Sequence, residues 1–251
     1  MSRFDKYREG PIPPSLVRAI NRDMGRAMHR YDMVEEGDRV AVGLSGGKDS
    51  LTLLWFLYER LTFIPIRHEL VPIHVDPGFT PGTGEPLAAF CESMGWPLHV
   101  EVGDHGRLAH SDENLENPCF LCSRIRRKRL FEIANEHGCN KIAMGHHKDD
   151  IIETLFLNMC YAGELATMNP SQPFFDGRIT VIRPLALVEE KQIARFARLA
   201  GFPEIVNNCP SAATSRRREI KDFLERLYGT NRKIKGNIFR SMSRVRLDYL
   251  L

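Results

Sequence analysis

The sequence predicts an α/β protein built on one parallel sheet of about five strands, with helices on both faces of the sheet. Two observations carry this prediction. Short apolar runs alternate with longer helical patterns along most of the chain, and the first run breaks into a glycine-rich loop that precedes a helix. Strands and helices that alternate in this way form parallel sheets, which bind ligands at the carboxyl ends of their strands.

The first half of the chain contains three predicted strands and the helices around them. Leu16, Ile20, Met24 and Met28 recur at four-residue spacing, which is typical of an amphipathic helix over 15–33. Short apolar runs further along predict strands at 40–44, 68–76 and 97–102. Longer apolar segments between these runs predict helices at 51–61 and 86–95.

The second half repeats the alternation and then changes character. The predicted strands are 140–145 and 179–185, and the predicted helices are 119–138, 149–163 and 189–201. Gly138 and Gly201 follow two of these helices, as glycine commonly does at helix ends. After Pro203 the strand pattern stops, and the remaining segment is helical and basic.

These patterns divide the chain into three expected parts. Residues 1–35 form an N-terminal helical extension, 36–205 the α/β domain, and 206–251 a basic helical C-terminal segment. An apolar content of 43% in 251 residues suffices for one substantial core. The sequence contains neither the roughly 20 consecutive apolar residues of a membrane span nor a signal-peptide core, so a cytoplasmic protein without a membrane partner is expected.

Positive charge is concentrated in two places, although the formal net charge is only +3. Residues 211–251 contain eleven Lys and Arg against four acids, and a second run, RIRRKR, covers 124–129. Clustered positive charge is typical of surfaces that bind nucleic-acid phosphates, although a solvated helix face explains either run alone equally well. The residues expected to contact a nucleic-acid backbone are Arg124, Arg127, Lys128, Arg216, Arg217 and Arg218.

A loop of small and polar residues follows the first predicted strand. Its members are Ser45, Gly46, Gly47, Lys48, Asp49 and Ser50. Glycines let backbone N–H groups approach an anion, the next helix adds the positive end of its dipole, and Lys48 can neutralise phosphate charge. The spacing differs from the G-x-x-x-x-G-K-[ST] loop of common nucleoside triphosphatases. Asp76 and Gly145 close two other predicted strands, so both are expected at the same sheet edge, near the bound nucleotide.

The six cysteines indicate metal or redox chemistry, because the chain has one close pair and no secretion signal. Cys119 and Cys122 lie one turn apart at a helix start, where the helix dipole lowers thiol pKa values. Cys209 follows 87 positions later and can reach the same sheet edge, so a three-thiol site is feasible. A redox pair, half of a zinc site and buried thiols remain open alternatives. The other cysteines are expected in the core or in a turn: Cys91, Cys160 and Cys139.

Several segments together resemble the tRNA 2-thiocytidine synthase family of the N-type ATP pyrophosphatase (PP-loop) superfamily. These segments are SGGKDS (45–50), PCFLCSRIRR (118–127), GHHKDDIIETLFLNMCYAG (145–163), IRPL (182–185) and NNCP (207–210). The match runs from about residue 16 to about residue 245. The resemblance implies a Rossmann-like PP-loop domain at 36–205. It also implies a tRNA sulfurtransferase that cleaves ATP to AMP and pyrophosphate and thiolates C2 of cytidine 32.

The resemblance also implies cofactors, partners and ligands. It implies a homodimer that uses ATP, Mg²⁺ and a [4Fe-4S] cluster, with tRNA and a sulfur donor (a cysteine desulfurase persulfide or sulfide) as partners. Carried onto this sequence, the cluster ligands are Cys119, Cys122 and Cys209. Three thiolates on a cubane cluster leave one iron without a protein ligand, where hydrosulfide could bind.

Three further residues are expected to act in catalysis. Asp149 and Asp150 suit Mg²⁺ binding or polarisation of the reacting base, with helix capping as the alternative. Arg126 lies one turn after Cys122, where it is expected to reach phosphate or the activated oxygen. The hypothesis is that the C2 oxygen of the base attacks the α-phosphate of ATP and that sulfur then displaces AMP.

Three rival functions stay open at this point. A 2-thiouridine synthase of the same superfamily shares the chemistry, but such relatives usually carry extra zinc-binding cysteine pairs. A lysidine-type tRNA ligase shares the loop but does not need three cysteines. A redox-sensing RNA-binding protein would use the cluster as a switch and would bind tRNA without releasing AMP.

Overall fold

The structure is a computed structural model that describes residues 4, 10–203, 205, 209–210 and 216–249. Its strands are β1 Arg39–Leu44, β2 Glu69–Asp76, β3 His99–Val102, β4 Lys141–Ala143, β5 Ser171–Phe174 and β6 Ile179–Ile182. Its helices are α1 Pro14–Arg30, α2 Lys48–Arg60, α3 Glu85–Ser93, α4 His105–Ala109, α5 Pro118–Glu136, α6 Lys148–Leu157, α7 Glu190–Ala200, α8 Arg216–Thr230 and α9 Ile234–Ser241. A π-helical turn, Asn158–Ala162, extends α6, and a 3₁₀ turn covers Leu247–Tyr249.

The described strands form one six-stranded sheet in the order β3-β2-β1-β4-β6-β5. Neighbouring strands run parallel, apart from the antiparallel pair β5 and β6. The predicted α/β class with a mainly parallel sheet is therefore confirmed. The order of the strands reverses between β1 and β4, and sheets of this kind bind ligands in the crevice at that switch point.

Strand β5 is the element of the sheet that the sequence does not predict. Pro173 has no amide hydrogen to donate, and proline in sheets is confined to edge strands, which is where β5 lies. Phe175 and Asp176 adopt φ values of +52° and +56°, and Gly177 follows at +84°. This left-handed turn leads the chain back into β6, so β5 depends on the turn and on pairing more than on an apolar pattern.

Two apolar clusters cover opposite faces of the sheet. Alternate residues of β1 contribute to different clusters, since Val40 and Val42 join the larger one and Ala41 joins the smaller. The larger cluster includes buried residues of α1, α2, α3 and α7, and the smaller includes those of α5. Side chains alternate between the faces of a strand. The helices therefore lie on both faces of the sheet, as predicted.

The chain forms two compact units, which are described separately. The first comprises residues 1–147 and 169–212 and contains the sheet; the second comprises residues 148–168 and 213–251. In the second unit, α6 packs against α8 and α9 around Ile152, Ile220 and Leu224. The division into 1–35, 36–205 and 206–251 stays a prediction. Among the described residues, no helix is long and apolar enough to cross a membrane.

Candidate active site

The loop between β1 and α2 is held in shape by its own two serines. Gly46 has a φ of +80°, a conformation that favours glycine. The Oγ of Ser50 accepts from the Ser45 amide at 3.2 Å and donates to the Gly47 carbonyl at 2.9 Å. The Oγ of Ser45 accepts from the Gly47 amide at 3.3 Å. These bonds shape the turn directly before the N-terminus of α2, where an anion is stabilised by the helix dipole.

Lys48, the first residue of α2, lies between two carboxylates of the first unit. Its Nζ is 3.1 Å from a carboxylate oxygen of Asp49 and 3.1 Å from Oε1 of Glu190, on α7. Burial disfavours the charged ammonium, but the two carboxylates outweigh this effect, and the pKa of Lys48 is raised. The lysine is therefore held as a cation at the start of the helix, where phosphate could take the place of either carboxylate.

Gly145 lies just beyond β4 and packs against the start of α2. A Cβ at this position would lie 3.0 Å from the Ser50 amide nitrogen and 3.1 Å from the carbonyl carbon of Asp49. Nearby, Nε2 of His147 is 3.6 Å from Oδ1 of Asp49. The ends of β1 and β4 therefore meet beside the loop, at the switch point of the sheet.

Asp76 ends β2, the strand next to β1, and its side chain is buried. Its Oδ1 accepts from the Gly78 amide at 2.8 Å, which fixes the turn that follows the strand. His74, two residues earlier, places Nδ1 2.8 Å from the carbonyl oxygen of Leu44 at the end of β1. Asp76 thus lies at the same sheet edge as the loop, as predicted, while its role toward the nucleotide stays a prediction.

The structure brings the three predicted cluster cysteines into one region of the first unit. Cys119 and Cys122 lie in the first turn of α5, where the Asn117 side chain accepts from the Cys119 amide at 3.0 Å. Burial raises the pKa of the Cys122 thiol, Cys209 and Cys119 act in the same direction, and Arg126 opposes them. Electrostatic effects of this kind require proximity, so Cys119, Cys209 and Arg126 lie in the neighbourhood of Cys122.

The three thiols are accessible, since Cys119 is exposed and Cys122 and Cys209 are half-buried. Among the described residues, no three His, Cys, Asp or Glu side chains are close enough to hold one metal ion. A cubane cluster is bound differently, because each cysteine ligates a different iron. The soft donor set and the shared location therefore fit a [4Fe-4S] cluster.

The remaining cysteines lie elsewhere. Cys91 and Cys139 are buried, and burial raises the pKa of each to about 11, which makes both thiols unreactive. Cys160 was expected in the core, and this prediction is wrong, because the thiol is exposed. It lies on the π-helical turn that follows α6, in which none of the residues is buried. An apolar helical pattern does not reveal where an α-helix widens into a π turn.

Asp149 and Asp150 begin α6 in the second unit and are paired there with cations. Lys235 Nζ lies 2.5 Å from Oδ1 of Asp149, and these side chains are 21% and 10% exposed. Arg217 lies 3.5 Å from Oδ1 of Asp150 and 3.7 Å from Oε2 of Glu153. Their roles in Mg²⁺ binding or catalysis stay predictions, but any Mg²⁺ there would compete with side-chain cations.

Of the basic residues predicted to bind tRNA, Arg217 is half-buried and the others are exposed, and several form ion pairs. On α5, Arg124 lies 3.2 Å from Glu116 and Lys128 lies 3.7 Å from Glu132. On α8, Arg216 lies over the Tyr161 ring, Arg218 pairs with Asp222, and Arg217 pairs as described above. The exposed pairs of Arg124, Lys128 and Arg218 each contribute little to stability, typically about 0–1 kcal/mol. These cations can therefore exchange partners for phosphates, although their contact with tRNA stays a prediction.

Sequence reasoning missed two residues near the loop and the thiols, Glu190 and His105. Glu190 and Lys48 are 142 positions apart, and nothing in the sequence pairs them. His105 is 2% exposed and its Nε2 has no hydrogen-bond partner in the described part of the chain. Burial lowers the pKa of His105, and Arg126 lowers it further.

The chain is similar to known proteins over nearly its whole length. It matches the PP-loop domain family over residues 18–220. It is 38% identical to the tRNA-cytidine(32) 2-sulfurtransferase of Geotalea daltonii over 244 residues, which covers 96% of each chain. It is 39% identical to the enzyme of the same name from Citrifermentans bemidjiense, over 96% of this chain and 95% of that one.

The chain is also similar in fold to a solved structure of a PP-loop tRNA thiolase. The U34-tRNA thiolase NcsA from Methanococcus maripaludis, with its [4Fe-4S] cluster, superimposes with a TM-score of 0.76 at 26% identity. The alignment covers 94% of this chain and 80% of that chain. The resemblance that the sequence motifs predicted is thus confirmed, and the chain belongs to the PP-loop superfamily and, within it, to the tRNA-cytidine(32) 2-sulfurtransferase family.

Proposed function

We propose that this chain thiolates C2 of cytidine 32 in tRNA, by ATP-dependent adenylation of the base and sulfur transfer at a [4Fe-4S] cluster. One observation carries the proposal: the first unit contains both a preformed loop at a helix N-terminus and, in Cys122, a thiol that has Cys119 and Cys209 in its neighbourhood. The names of the similar sulfurtransferases support cytidine 32 as the target, and the cluster named for NcsA supports the cofactor.

The loop from Ser45 to Ser50 is the proposed site of the ATP phosphates. The turn and the α2 N-terminus would bind the pyrophosphate end, and Lys48 would exchange a carboxylate partner for phosphate oxygen. The C2 oxygen of cytosine attacks the α-phosphorus, and pyrophosphate leaves. The adenylated C2 carbon is then an electrophile with AMP as its leaving group, so sulfur adds at C2 and AMP departs with the former oxygen.

Cys119, Cys122 and Cys209 are the proposed ligands of the cluster. When bound, the cluster would supply sulfur to the activated carbon at the iron that has no protein ligand. Arg126 lies close enough to Cys122 to oppose the rise in its pKa. A guanidinium in this position would stabilise the negative charge that develops on the phosphate or on the C2 oxygen during sulfur addition.

Mg²⁺ is proposed as the counterion of the nucleotide, because ATP phosphates are usually bound with this ion. Asp149 and Asp150 are the proposed carboxylate ligands, or alternatively the groups that polarise the base. Each already has a cationic partner, Lys235 or Arg217, within the second unit. Binding of Mg²⁺ would release these cations, which would then be available to phosphate.

The tRNA backbone is the proposed partner of the exposed cations on α5 and α8. Arg124, Arg127 and Lys128 lie on the same helix as Cys119 and Cys122, so a backbone bound there would bring the tRNA next to the thiols. We further propose a homodimer, a cytoplasmic location, and a cysteine desulfurase persulfide or sulfide as the source of sulfur.

The first experiment measures iron, acid-labile sulfide and the visible spectrum of protein purified without oxygen. Wild-type protein should contain about four iron and four sulfide per chain, as a [4Fe-4S] cluster requires. Cys209→Ala should lose them, whereas Cys160→Ala, which removes an exposed cysteine of the second unit, should keep them. Zinc, or no metal, in wild-type protein would contradict the cluster mechanism.

The second experiment identifies the product. Wild-type protein, ATP, Mg²⁺ and sulfide should form 2-thiocytidine in tRNA, with one AMP released per thiolated base. The structural similarity to a U34-tRNA thiolase favours 2-thiouridine as the alternative product, and nucleoside analysis distinguishes the two. Binding of tRNA without AMP release would favour a redox-sensing RNA-binding protein. Full modification activity in Cys119→Ala would favour a lysidine-type ligase.

A further inference from the structure

We propose that the ring of Tyr161, with the Arg216 guanidinium over it, is a stacking surface for an unpaired base of the tRNA. This inference rests on the proposed function and deepens it, because it names a contact with the proposed substrate. The observation behind it is an exposed aromatic ring in the second unit that is held by its own turn, by Arg216 and by Glu219.

The turn that carries Tyr161 is exposed but ordered by its own hydrogen bonds. It is the π-helical turn Asn158–Ala162, which extends α6 and is closed by Gly163, whose amide donates to the Asn158 carbonyl. Gly163 adopts a φ of +68°, a conformation that favours glycine. Every residue over 159–166 is exposed. π-helical turns are rare and frequently occur at functional sites.

Two residues of α8 orient the ring of Tyr161. Its hydroxyl donates to Oε2 of Glu219 at 2.8 Å, and the Arg216 guanidinium lies 4.8 Å from the ring centroid. The hydrogen bond to Glu219 raises the pKa of Tyr161, so the hydroxyl stays protonated as a donor. Tyr161 is nevertheless 44% exposed. With a guanidinium over one face, the opposite face of the ring is available to a base.

The chemistry of this surface fits single-stranded RNA. Unpaired bases of RNA loops stack on tyrosine rings and on arginine guanidinium planes. Met159 and Leu165, on either side of Tyr161 in the chain, are 44% and 65% exposed and enlarge the apolar surface. Arg216 and Arg218 are exposed beside it and suit the phosphates that flank a base. An aromatic ring among clustered cations therefore favours RNA over an apolar protein partner.

Tyr249 provides a matched comparison within the same unit. It is 80% exposed, and the Arg246 guanidinium lies 5.4 Å from its ring centroid. Arg246 directly precedes the 3₁₀ turn that contains Tyr249, whereas Tyr161 and Arg216 come from different helical elements. A ring that is fixed before binding loses less freedom when a base stacks on it. Tyr161 should therefore contribute more to tRNA affinity than Tyr249.

Three substitutions separate the ring from the hydroxyl and from exposure alone. Tyr161→Leu removes the ring and retains an apolar side chain. Tyr161→Phe retains the ring and lacks the hydrogen bond to Glu219. Tyr249→Leu removes the matched tyrosine. Because both tyrosines are exposed, folding should not depend on either, and thermal unfolding of each variant checks this.

The experiment measures the dissociation constant of unmodified tRNA at several salt concentrations, with a blunt-ended RNA duplex as a second ligand. We expect Tyr161→Leu to weaken tRNA binding about 5- to 140-fold, as the loss of one stacked base implies. Tyr161→Phe and Tyr249→Leu should stay close to wild type. Stacking is not ionic, so Tyr161→Leu should keep the wild-type salt slope, whereas loss of one phosphate contact would reduce this slope by about 0.7–0.9. Its affinity for the duplex, which has no unpaired base, should not change.

Several results would overturn the inference. Wild-type tRNA affinity in Tyr161→Leu would show that the ring does not contact tRNA and would leave this surface to a protein partner. An equal loss in Tyr161→Phe would assign the effect to the hydroxyl, and an equal loss in Tyr249→Leu would assign it to any exposed tyrosine. A smaller salt slope, or equal weakening of duplex binding, would assign it to phosphate contacts.

The outcomes also distinguish this inference from the proposed function. Wild-type protein that binds tRNA but forms no 2-thiocytidine would refute the proposed function, and the loss of affinity in Tyr161→Leu would still support the stacking surface. Wild-type protein that does not bind tRNA would refute both. Wild-type protein that thiolates tRNA, with a Tyr161→Leu variant of unchanged tRNA affinity, would overturn the inference alone.

Discussion

Replacing Gly145 with alanine tests whether the end of β4 helps to shape the phosphate loop. The added Cβ would lie 3.0 Å from the amide nitrogen of Ser50 and 3.1 Å from Asp49 C and Ser50 Cα. Ordinary van der Waals contact begins at 3.4 Å, so something must shift by a few tenths of an ångström. The contacted atoms are backbone atoms of the first turn of α2. They cannot rotate away as the end of a side chain can.

The cost of this crowding follows from the packing. Extra methyl groups in well-packed sites typically cost about 1–3 kcal/mol. Ser50 also closes the loop through its bonds to Ser45 and Gly47, so a displaced first turn of α2 would disturb the whole loop from Ser45 to Ser50. If the cost falls on nucleotide binding, the dissociation constant should rise about 5- to 140-fold, because each tenfold change corresponds to about 1.4 kcal/mol.

Calorimetric titration with a non-hydrolysable ATP analogue and denaturant unfolding measure the two possible effects. Gly229→Ala is a suitable control, because no atom lies within 4 Å of its added Cβ and it replaces a helical glycine. It should leave nucleotide binding unchanged and raise the free energy of unfolding by about 0.5–1 kcal/mol. A Gly145→Ala protein that binds the analogue with wild-type affinity would refute the assignment of Gly145 to the nucleotide site. If this variant also unfolded with the wild-type free energy, the close packing of Gly145 against α2 would be refuted too.

Two further predictions concern buried ionisable groups. Lys235→Met should lower the free energy of unfolding by about 2 kcal/mol, because Asp149 loses an ammonium partner at 2.5 Å. The double variant Lys235→Met, Asp149→Asn should recover most of this loss, and denaturant titrations measure both effects. Independent, additive losses would contradict this coupling. For His105, burial and Arg126 lower the folded-state pKa, so the unfolded chain binds the proton more readily. Stability should therefore fall as pH decreases below about 6.5, the ordinary histidine pKa, and His105→Gln should flatten this part of the pH–stability curve. An unchanged slope would contradict the burial effect.

Local patterns in the sequence were sufficient to predict an element where the segment's own residues determine its structure. An apolar run followed by Ser45, Gly46 and Gly47 specifies strand, loop and helix start, because only glycine readily adopts the φ of +80° at Gly46. Pro118 marks the start of α5, since proline suits the first turn of a helix, where its missing N–H is not needed. The predicted positions of Cys119 and Cys122 followed from that start.

Contacts between distant segments could not be predicted in the same way. Lys48 and Glu190 are 142 positions apart, and His110 and Cys209 are 99 positions apart. Each pair depends on how segments that follow different strands come together in the fold, and local propensity does not encode that arrangement. The sequence also left Asp149 as an unpaired carboxylate, whereas a lysine 86 positions away neutralises it.

The geometry of α5 adds a constraint on how tRNA would approach the thiols. A helix turns about 100° per residue, so Cys119, Cys122 and Arg126 fall within about 60° of one another around its axis. The effects of Cys119 and Arg126 on the pKa of Cys122 agree with this shared face. Arg124, Arg127 and Lys128 are turned about 80–180° from Cys119 by the same rule. A phosphate backbone held by these cations would therefore lie to one side of the thiols, and the target base would have to leave its stack and extend around the helix to reach them.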